Sequence, residues 1–304
     1  MIGVLVMAYG GPGNLDEVAP YILDVRHFRP TSPEIIEEMR SRYEQIGGLS
    51  PILALTKGQA TELERALAGG TTPLRTFVGM RHWHPYIADT LAEMREQGVD
   101  RAVGLVMAPH YSRLSVEAYF GKVREACSGI EFAEIHSWHL LPEYLDTVVD
   151  LVERSLLRFP TELRDSLPII ASAHSLPERI LAEGDPYQDQ LHETIQALRE
   201  RLPGHEIRFA YQSAAMTDDP WLGPDAGEVI RQMAADGTRH LLIAPIGFTC
   251  EHVEVLFDID VEYQRIAAEL DVQLERIDMM NDHPLMMAGL ARLVQEQVIA
   301  AGWI

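Results

Sequence analysis

Two groups of residues could do chemistry. His174 stands in Ile169-Ile170-Ala171-Ser172-Ala173-His174-Ser175-Leu176-Pro177, directly after a run apolar enough for a buried strand. A histidine beside such a strand is ordinarily a satisfied core residue, but at the strand's end, where side chains converge on a cleft, a site becomes the better reading. The second group is Glu254, Asp258 and Glu262, spaced four apart, which a helix would place along one face. Like charges four apart repel, and an α-helix drifts along such a row; a wider π-type turn would align it better. A solvated acidic face is the plain alternative. Val253, Val255, Leu256, Phe257 and Ile259 make the segment too apolar for that, so a half-buried cation path is expected. A neutral imidazole with a carboxylate suits a borderline divalent metal such as Fe2+ or Zn2+, whereas oxygen ligands alone suit Mg2+ or Ca2+.

Other chemistries lack their signatures. No HExxH is present; the histidines of Arg81-His82-Trp83-His84, and His136 with His139, are read as incidental. Gly10-Gly11-Pro12-Gly13 is neither GxGxxG nor a P-loop, and Ser175 sits in no GxSxG elbow. Cys127 and Cys250, the only two cysteines, fit a reducing compartment and cannot supply the four ligands of an iron–sulfur cluster. With 46 Asp+Glu against 25 Lys+Arg, the net charge of −21 argues against nucleic acid or an anionic membrane as partner. Residues 1–8 lack a charged leader region, and no apolar run reaches the roughly 18 residues of a membrane span, so a cytoplasmic protein without a membrane anchor is expected.

Elements must position these residues. The 304 residues, 47% apolar, are enough for two domains. Strands are expected at Val4–Ala8, Thr76–Gly79, Val103–Ala108, Ile169–Ser172, Ile207–Tyr211 and Leu241–Pro245. Between them lie helix-period segments at Ser32–Tyr43, Lys57–Leu67, Tyr86–Gln97, Pro142–Leu157, Tyr187–Leu202 and Asp225–Asp236. Strands apolar on both faces and separated by helices predict parallel βαβ units. The parts recur in order, from the strand ending Ala8-Tyr9 to Met107-Ala108-Pro109, and from Ala173-His174 to Ile243-Ala244-Pro245. The fold class is therefore α/β with two similar lobes, each a parallel sheet flanked by helices, divided as 1–150, 151–280 and a C-terminal helix within 281–304. Ligands in such sheets sit beyond the carboxyl ends of the strands. There the sequence carries Tyr9-Gly10-Gly11, Pro109-His110-Tyr111-Ser112, His174-Ser175, Tyr211-Gln212-Ser213 and Gly247-Phe248.

The motifs Val6-Met7-Ala8-Tyr9-Gly10-Gly11-Pro12, Arg42-Tyr43-Glu44-Gln45-Ile46-Gly47-Gly48-Leu49-Ser50-Pro51, Ser172-Ala173-His174-Ser175-Leu176-Pro177, Pro220-Trp221-Leu222-Gly223-Pro224-Asp225 and Gly247-Phe248 through Asp258 resemble the ferrochelatase family in order and spacing. The resemblance spans residues 1 to about 262. It implies two Rossmann-like lobes with a porphyrin cleft between them, and insertion of Fe2+ into the porphyrin for haem biosynthesis. His174 matches the family's active-site histidine, Glu254 its metal-side glutamate, and Asp258 and Glu262 an accessory acidic row leading metal or protons inward. Tyr9 matches a tyrosine of the Gram-positive-type enzymes that can ligate product iron. Arg26, Arg42, Tyr43, Ser50 and Tyr119 match that group's porphyrin contacts, Arg26 across a one-residue gap.

By resemblance the substrate is coproporphyrin III and the product coproheme, with Fe2+ as substrate, no permanently bound cofactor and no iron–sulfur cluster. The acidic row leaves room for an accessory Mg2+. A monomer is expected, with transient contact to the next haem-pathway enzyme as a further implied partner. Four propionates suit bidentate capture by Arg26, Arg29 and Arg42 and make a membrane anchor unnecessary. Neutral His174 is expected to accept a pyrrole proton or ligate Fe2+, with the division between base and ligand left open. Protoporphyrin insertion, chelation of cobalt or nickel by another tetrapyrrole, or a non-catalytic haem carrier are the alternatives. Two positions depart from the family pattern: Gln212-Ser213-Ala214-Ala215 has alanine where glycine is usual, and Cys250 replaces a smaller residue.

Overall fold

The computed structural model describes residues 1–69, 73–215 and 219–304. Its strands are β1 (Ile2–Ala8), β2 (Arg75–Met80), β3 (Arg101–Val106), β4 (Glu131–Ile135), β5 (Ile169–His174), β6 (Ile207–Gln212), β7 (His240–Ala244) and β8 (Gln273–Arg276). The helices are α1 (Val18–Val25), α2 (Pro33–Gln45), α3 (Ile52–Leu67), α4 (Ile87–Glu96), α5 (Val116–Ala126), α6 (Pro142–Leu156), α7 (Arg179–Ala182), α8 (Tyr187–Arg201), α9 (Ala226–Ala235), α10 (Val253–Leu256), α11 (Gln264–Glu269) and α12 (Pro284–Ala300). A π-helical segment, Asp258–Tyr263, lies between α10 and α11.

The strands form two four-stranded sheets, ordered β2-β1-β3-β4 and β6-β5-β7-β8, and every pairing is parallel. The two orders are the same, so the recurrence read in the sequence is one topology used twice. It makes β1 and β5 equivalent inner strands, one leading into Tyr9 and the other ending at His174. Both are apolar along nearly their whole length because helices cover both faces of each sheet.

The six expected strands are present. β4 and β8 were not anticipated; both are edge strands that alternate polar with buried residues, as in Glu131-Phe132-Ala133-Glu134-Ile135, and so carry no continuous apolar run. α1, α5, α7 and α11 are likewise additions, and α3 begins at Ile52, five residues before the expected start, directly after Pro51.

The largest core cluster joins the sheets. It contains Val4 and Val103 from the first, Ile169 and Leu242 from the second, Leu145 and Val148 from α6, and Leu290 and Val294 from α12. α6 runs through residue 150, and α12 packs back on α3 and α6 of the first half. Between α6 and α12, Arg292 grips Glu143 at 2.8 and 3.1 Å, and Gly289 faces Glu143 so closely that a Cβ there would stand 2.6 Å from the Glu143 Cβ. This shared core holds the two sets of strand ends against one another.

Candidate active site

The strand ends enclose a cavity of about 260 Å3 lined by residues of both halves, among them Tyr9, Tyr43, Ser50, Arg81, Tyr119, His174, His252 and Glu254. Each half is locked in place by close backbone approach. A Cβ on Gly247, after β7, would lie 2.9 Å from the Ala173 Cα, so only glycine lets that loop press against the residue preceding His174. On the opposite side Gly10 (φ 94°) turns the chain after Tyr9. The Tyr21 hydroxyl donates to the Gly10 carbonyl at 3.2 Å.

His174 and Glu254 form the centre. His174 Nε2 lies 3.3 Å from Glu254 Oε1, while its Nδ1 makes a short hydrogen bond to the Ser175 carbonyl. Their side chains remain 31% and 32% exposed, so a ligand in the cavity can reach both. Burial opposes the charge on His174, but the Glu254 carboxylate outweighs it and holds the imidazolium up to about 9. Burial likewise opposes ionisation of Glu254, and His174 overcomes it, drawing the carboxyl down to about 2. Without a metal the electrostatics therefore favour imidazolium and carboxylate over the neutral His174 expected from the sequence, because the partner that would share a metal also attracts the proton.

His252 caps α10, its Nδ1 accepting from the Glu254 amide at 3.1 Å, which fixes where Glu254 enters the cavity. Gln212 adds a second hold, donating from Nε2 to the Glu254 carbonyl at 2.7 Å. Beyond Glu254 the chain takes the wider π-type turn that aligns such a row better than the α-helix. Asp258 opens the π-helical segment and is nearly fully buried, with a short hydrogen bond from the Ser213 hydroxyl and Arg42 Nη1 at 3.6 Å. Burial first, then Glu254 and Glu262, raise the Asp258 carboxyl to about 7 against the pull of Ser213 and Arg42. Glu262 opens onto a neighbouring groove with Glu34, Glu37 and Glu38 of α2. Among the described residues no three His, Cys, Asp or Glu side chains stand together as a ready-made cation cage. A metal at His174 and Glu254 must draw further donors from substrate or water.

The remaining anticipated residues divide. Tyr9, Tyr43, Ser50 and Tyr119 line the cavity, and burial pushes the Tyr9 phenol up to about 12 despite the nearby Arg81 cation. Arg42 faces the acidic groove instead, donating to Glu38 at 2.8 Å with its guanidinium 4.9 Å from the Phe257 ring centroid. Arg26 and Arg29 are exposed in the turn after α1 and do not line the cavity. His27 and Phe28 there are left-handed (φ 53° and 56°) and reverse the chain at the surface. Cys250 packs with Ala8, Ile52 and Met80, its thiol pushed up by burial to about 12. Ala215 is exposed and outside the cavity lining.

His82, read as incidental, is a buried brace. Its Nδ1 lies 2.8 Å from Asp24 and its ring 4.7 Å from that of Tyr9. Arg81 and His252 were not anticipated. Arg81 directly follows β2, so the rule about carboxyl ends of strands, extended to β2, would have found it; the role of His252 depends on where α10 starts.

Comparison with known proteins agrees with the fold. The solved structure of SirB from Bacillus subtilis with Fe3+ has the same fold, with a TM-score of 0.61 at 13% identity over 99% of this chain and 97% of that one. Among curated relatives, a ferrochelatase of Deinococcus radiodurans is 41% identical over 97% of this chain and 96% of its own. The coproporphyrin III ferrochelatases of Oceanobacillus iheyensis and Bacillus subtilis are 36% and 35% identical, covering 97% and 98% of this chain and 96% and 98% of theirs. The family model described as Ferrochelatase matches residues 1–298, and on that extent of agreement the chain belongs to the ferrochelatase family.

Proposed function

We propose that this chain inserts Fe2+ into coproporphyrin III, releasing two protons and giving coproheme. The observation that carries the reading is the His174–Glu254 pair, 3.3 Å apart and reachable from a cavity whose other wall presents Tyr9. Relatives at 35–36% identity bear the coproporphyrin name, while one at 41% is named only ferrochelatase, so the tetracarboxylate preference rests on Tyr9 and on the hydroxyl-bearing cavity residues Tyr43, Ser50 and Tyr119. No helix among the described residues is long and apolar enough to cross a membrane, which fits a water-soluble substrate.

The chemical task is to remove two pyrrole protons and deliver a cation to nitrogens hidden in a flat ring. A cleft that favours a puckered macrocycle exposes those nitrogens and moves the substrate toward the transition state. His174 begins with a proton on it, so it must pass that proton on before accepting one from pyrrole or ligating Fe2+. Glu254 is its immediate partner. Asp258, whose carboxyl titrates near neutrality, is the next acceptor, and Glu262 faces the outer groove. Fe2+ arriving at Glu254 weakens its hold on the imidazolium, so metal delivery and loss of the His174 proton favour one another. Tyr9, on the cavity wall of the first half, would ligate the product iron, its phenolic proton passing to water in the cavity. Ser50 receives a propionate from the cavity wall, Arg42 reaches one only by leaving Glu38 in the adjoining groove, and Glu262 with Asp258 offers oxygen to an accessory Mg2+.

The test is an anaerobic absorbance assay with Fe2+ and either coproporphyrin III or protoporphyrin IX. Multiple turnovers on coproporphyrin III, little on protoporphyrin IX, and a loss of roughly 100-fold or more in His174→Ala are expected. Preference for protoporphyrin IX would overturn the substrate assignment. Binding of one equivalent without turnover would leave a carrier.

A further inference from the structure

Arg81 is a cation at the cavity wall that none of these steps uses. Its backbone N–H donates to the Ala8 carbonyl at 3.0 Å, which fixes it beside the end of β1. From there its guanidinium reaches between two tyrosines of the cavity, with its carbon 5.8 Å from the Tyr9 ring centroid and 5.4 Å from that of Tyr119. Of the five donors a guanidinium carries, one is spoken for, Nη1 donating to the Leu114 carbonyl at 3.1 Å. Among the described residues no carboxylate stands within ion-pair distance of Arg81. Arg42, Arg276 and Arg292 are each held by a carboxylate at 2.8 Å. What sets Arg81 apart is its place in the cavity lining, where a ligand can reach it.

We propose that Arg81 is the interior anchor for one carboxylate of the substrate. Its free donor edge takes the two oxygens, and the Tyr119 hydroxyl, which has no hydrogen-bond partner among the described residues, donates to the same group. Aromatic faces hold the guanidinium plane in place before substrate arrives, so little freedom is lost on binding. A carboxylate there also supplies the charge compensation that a partly desolvated cation lacks. Arg81 thereby sets which edge of the macrocycle enters first and ties orientation to the number and position of carboxylates. The inference rests on the porphyrin reading above.

The experiment is metal-free binding, read by quenching of porphyrin fluorescence, so that it does not depend on turnover. Coproporphyrin III is compared with octaethylporphyrin, which has no carboxylate, on the wild-type chain, Arg81→Met and Arg81→Lys, with thermal midpoints confirming that each is folded. Loss of a charge-assisted, two-oxygen contact should weaken coproporphyrin III binding roughly 10- to 100-fold in Arg81→Met. Arg81→Lys should fall between, since it keeps the charge and loses the fork. Octaethylporphyrin should bind all three alike. Equal weakening of both porphyrins would show that Arg81 only shapes the cavity, and unchanged coproporphyrin III binding would remove it from the site; either overturns the proposal. If the wild-type chain binds octaethylporphyrin but not coproporphyrin III, the anchor fails while a porphyrin site survives. Binding of neither overturns the porphyrin reading and the anchor with it.

Discussion

At the scale of the residue, His174 and Glu254 are each set by the other. Burial alone would leave His174 neutral and Glu254 protonated; 3.3 Å apart, each stabilises the charged form of its partner. The pair strengthens the folded state over a definite window. The Glu254 contribution is complete above its unfolded value of 4.5 and fades as pH falls toward 2; that of His174 is complete below 6.5 and fades as pH rises through about 9. Replacing Glu254 by Gln removes the charge that holds the proton and leaves burial in command. The His174 imidazole, followed by NMR in the metal-free chain, should then titrate at or below its ordinary 6.5 in place of about 9. A His174 titration that does not move in Glu254→Gln would show that the Ser175 carbonyl, not Glu254, holds the proton.

At the scale of the element, the π-helical segment Asp258–Tyr263 explains how an acidic row enters a protein interior. Widening the turn keeps successive carboxylates near one line, and the apolar residues between them, Ile259 among these, anchor the segment in the second core cluster. Ser213, left-handed at φ 61° directly after β6, aims its hydroxyl at the buried Asp258. Burial sets the sign of the pH dependence. Unfolded, Asp258 loses its proton near 3.8; folded, it keeps it until about 7, so its ionisation destabilises the fold progressively as pH rises between those values. Asp258→Asn keeps the shape and cannot ionise. In urea denaturation the variant should gain stability relative to wild type from pH 4 to pH 8, by on the order of 1 kcal/mol or more, while iron insertion falls. An opposite trend in the stability difference would mean that Arg42 outweighs burial and holds Asp258 ionised.

At the scale of the whole molecule, a net charge of −21 acts on the two proposed substrates with opposite sign. The general field draws Fe2+ in and repels a tetracarboxylate, leaving local arginines to reverse the field at the cavity. Salt screens such long-range terms, with a Debye length of about 30 Å at 0.01 M and about 8 Å at 0.15 M. Between those ionic strengths kcat/KM should rise severalfold for coproporphyrin III and fall for Fe2+. Parallel changes for both substrates would indicate that local arginines, not net charge, govern encounter.

Much of this was legible in the sequence because it is written in short-range patterns. Apolar runs spaced by helical periods specify parallel βαβ units, and the recurrence from Ala8-Tyr9 to Ala173-His174 marks one topology used twice. The Glu254, Asp258, Glu262 spacing in an apolar segment pointed to a half-buried row, one that a widened turn would align better. The tertiary structure decided what depends on residues far apart in the chain. Only the fold puts Glu254 beside His174, and with it the proton that a lone histidine would not keep. It sends Arg42 toward Asp258 and leaves Arg26 in solvent. It also brings Arg81 between Tyr9 and Tyr119, and lays α12 on α3 and α6. Periodicity fixes which residues are buried and on which element. Charge state, orientation and partnership are set by the electric field and packing of the assembled chain, to which residues far apart in the sequence contribute.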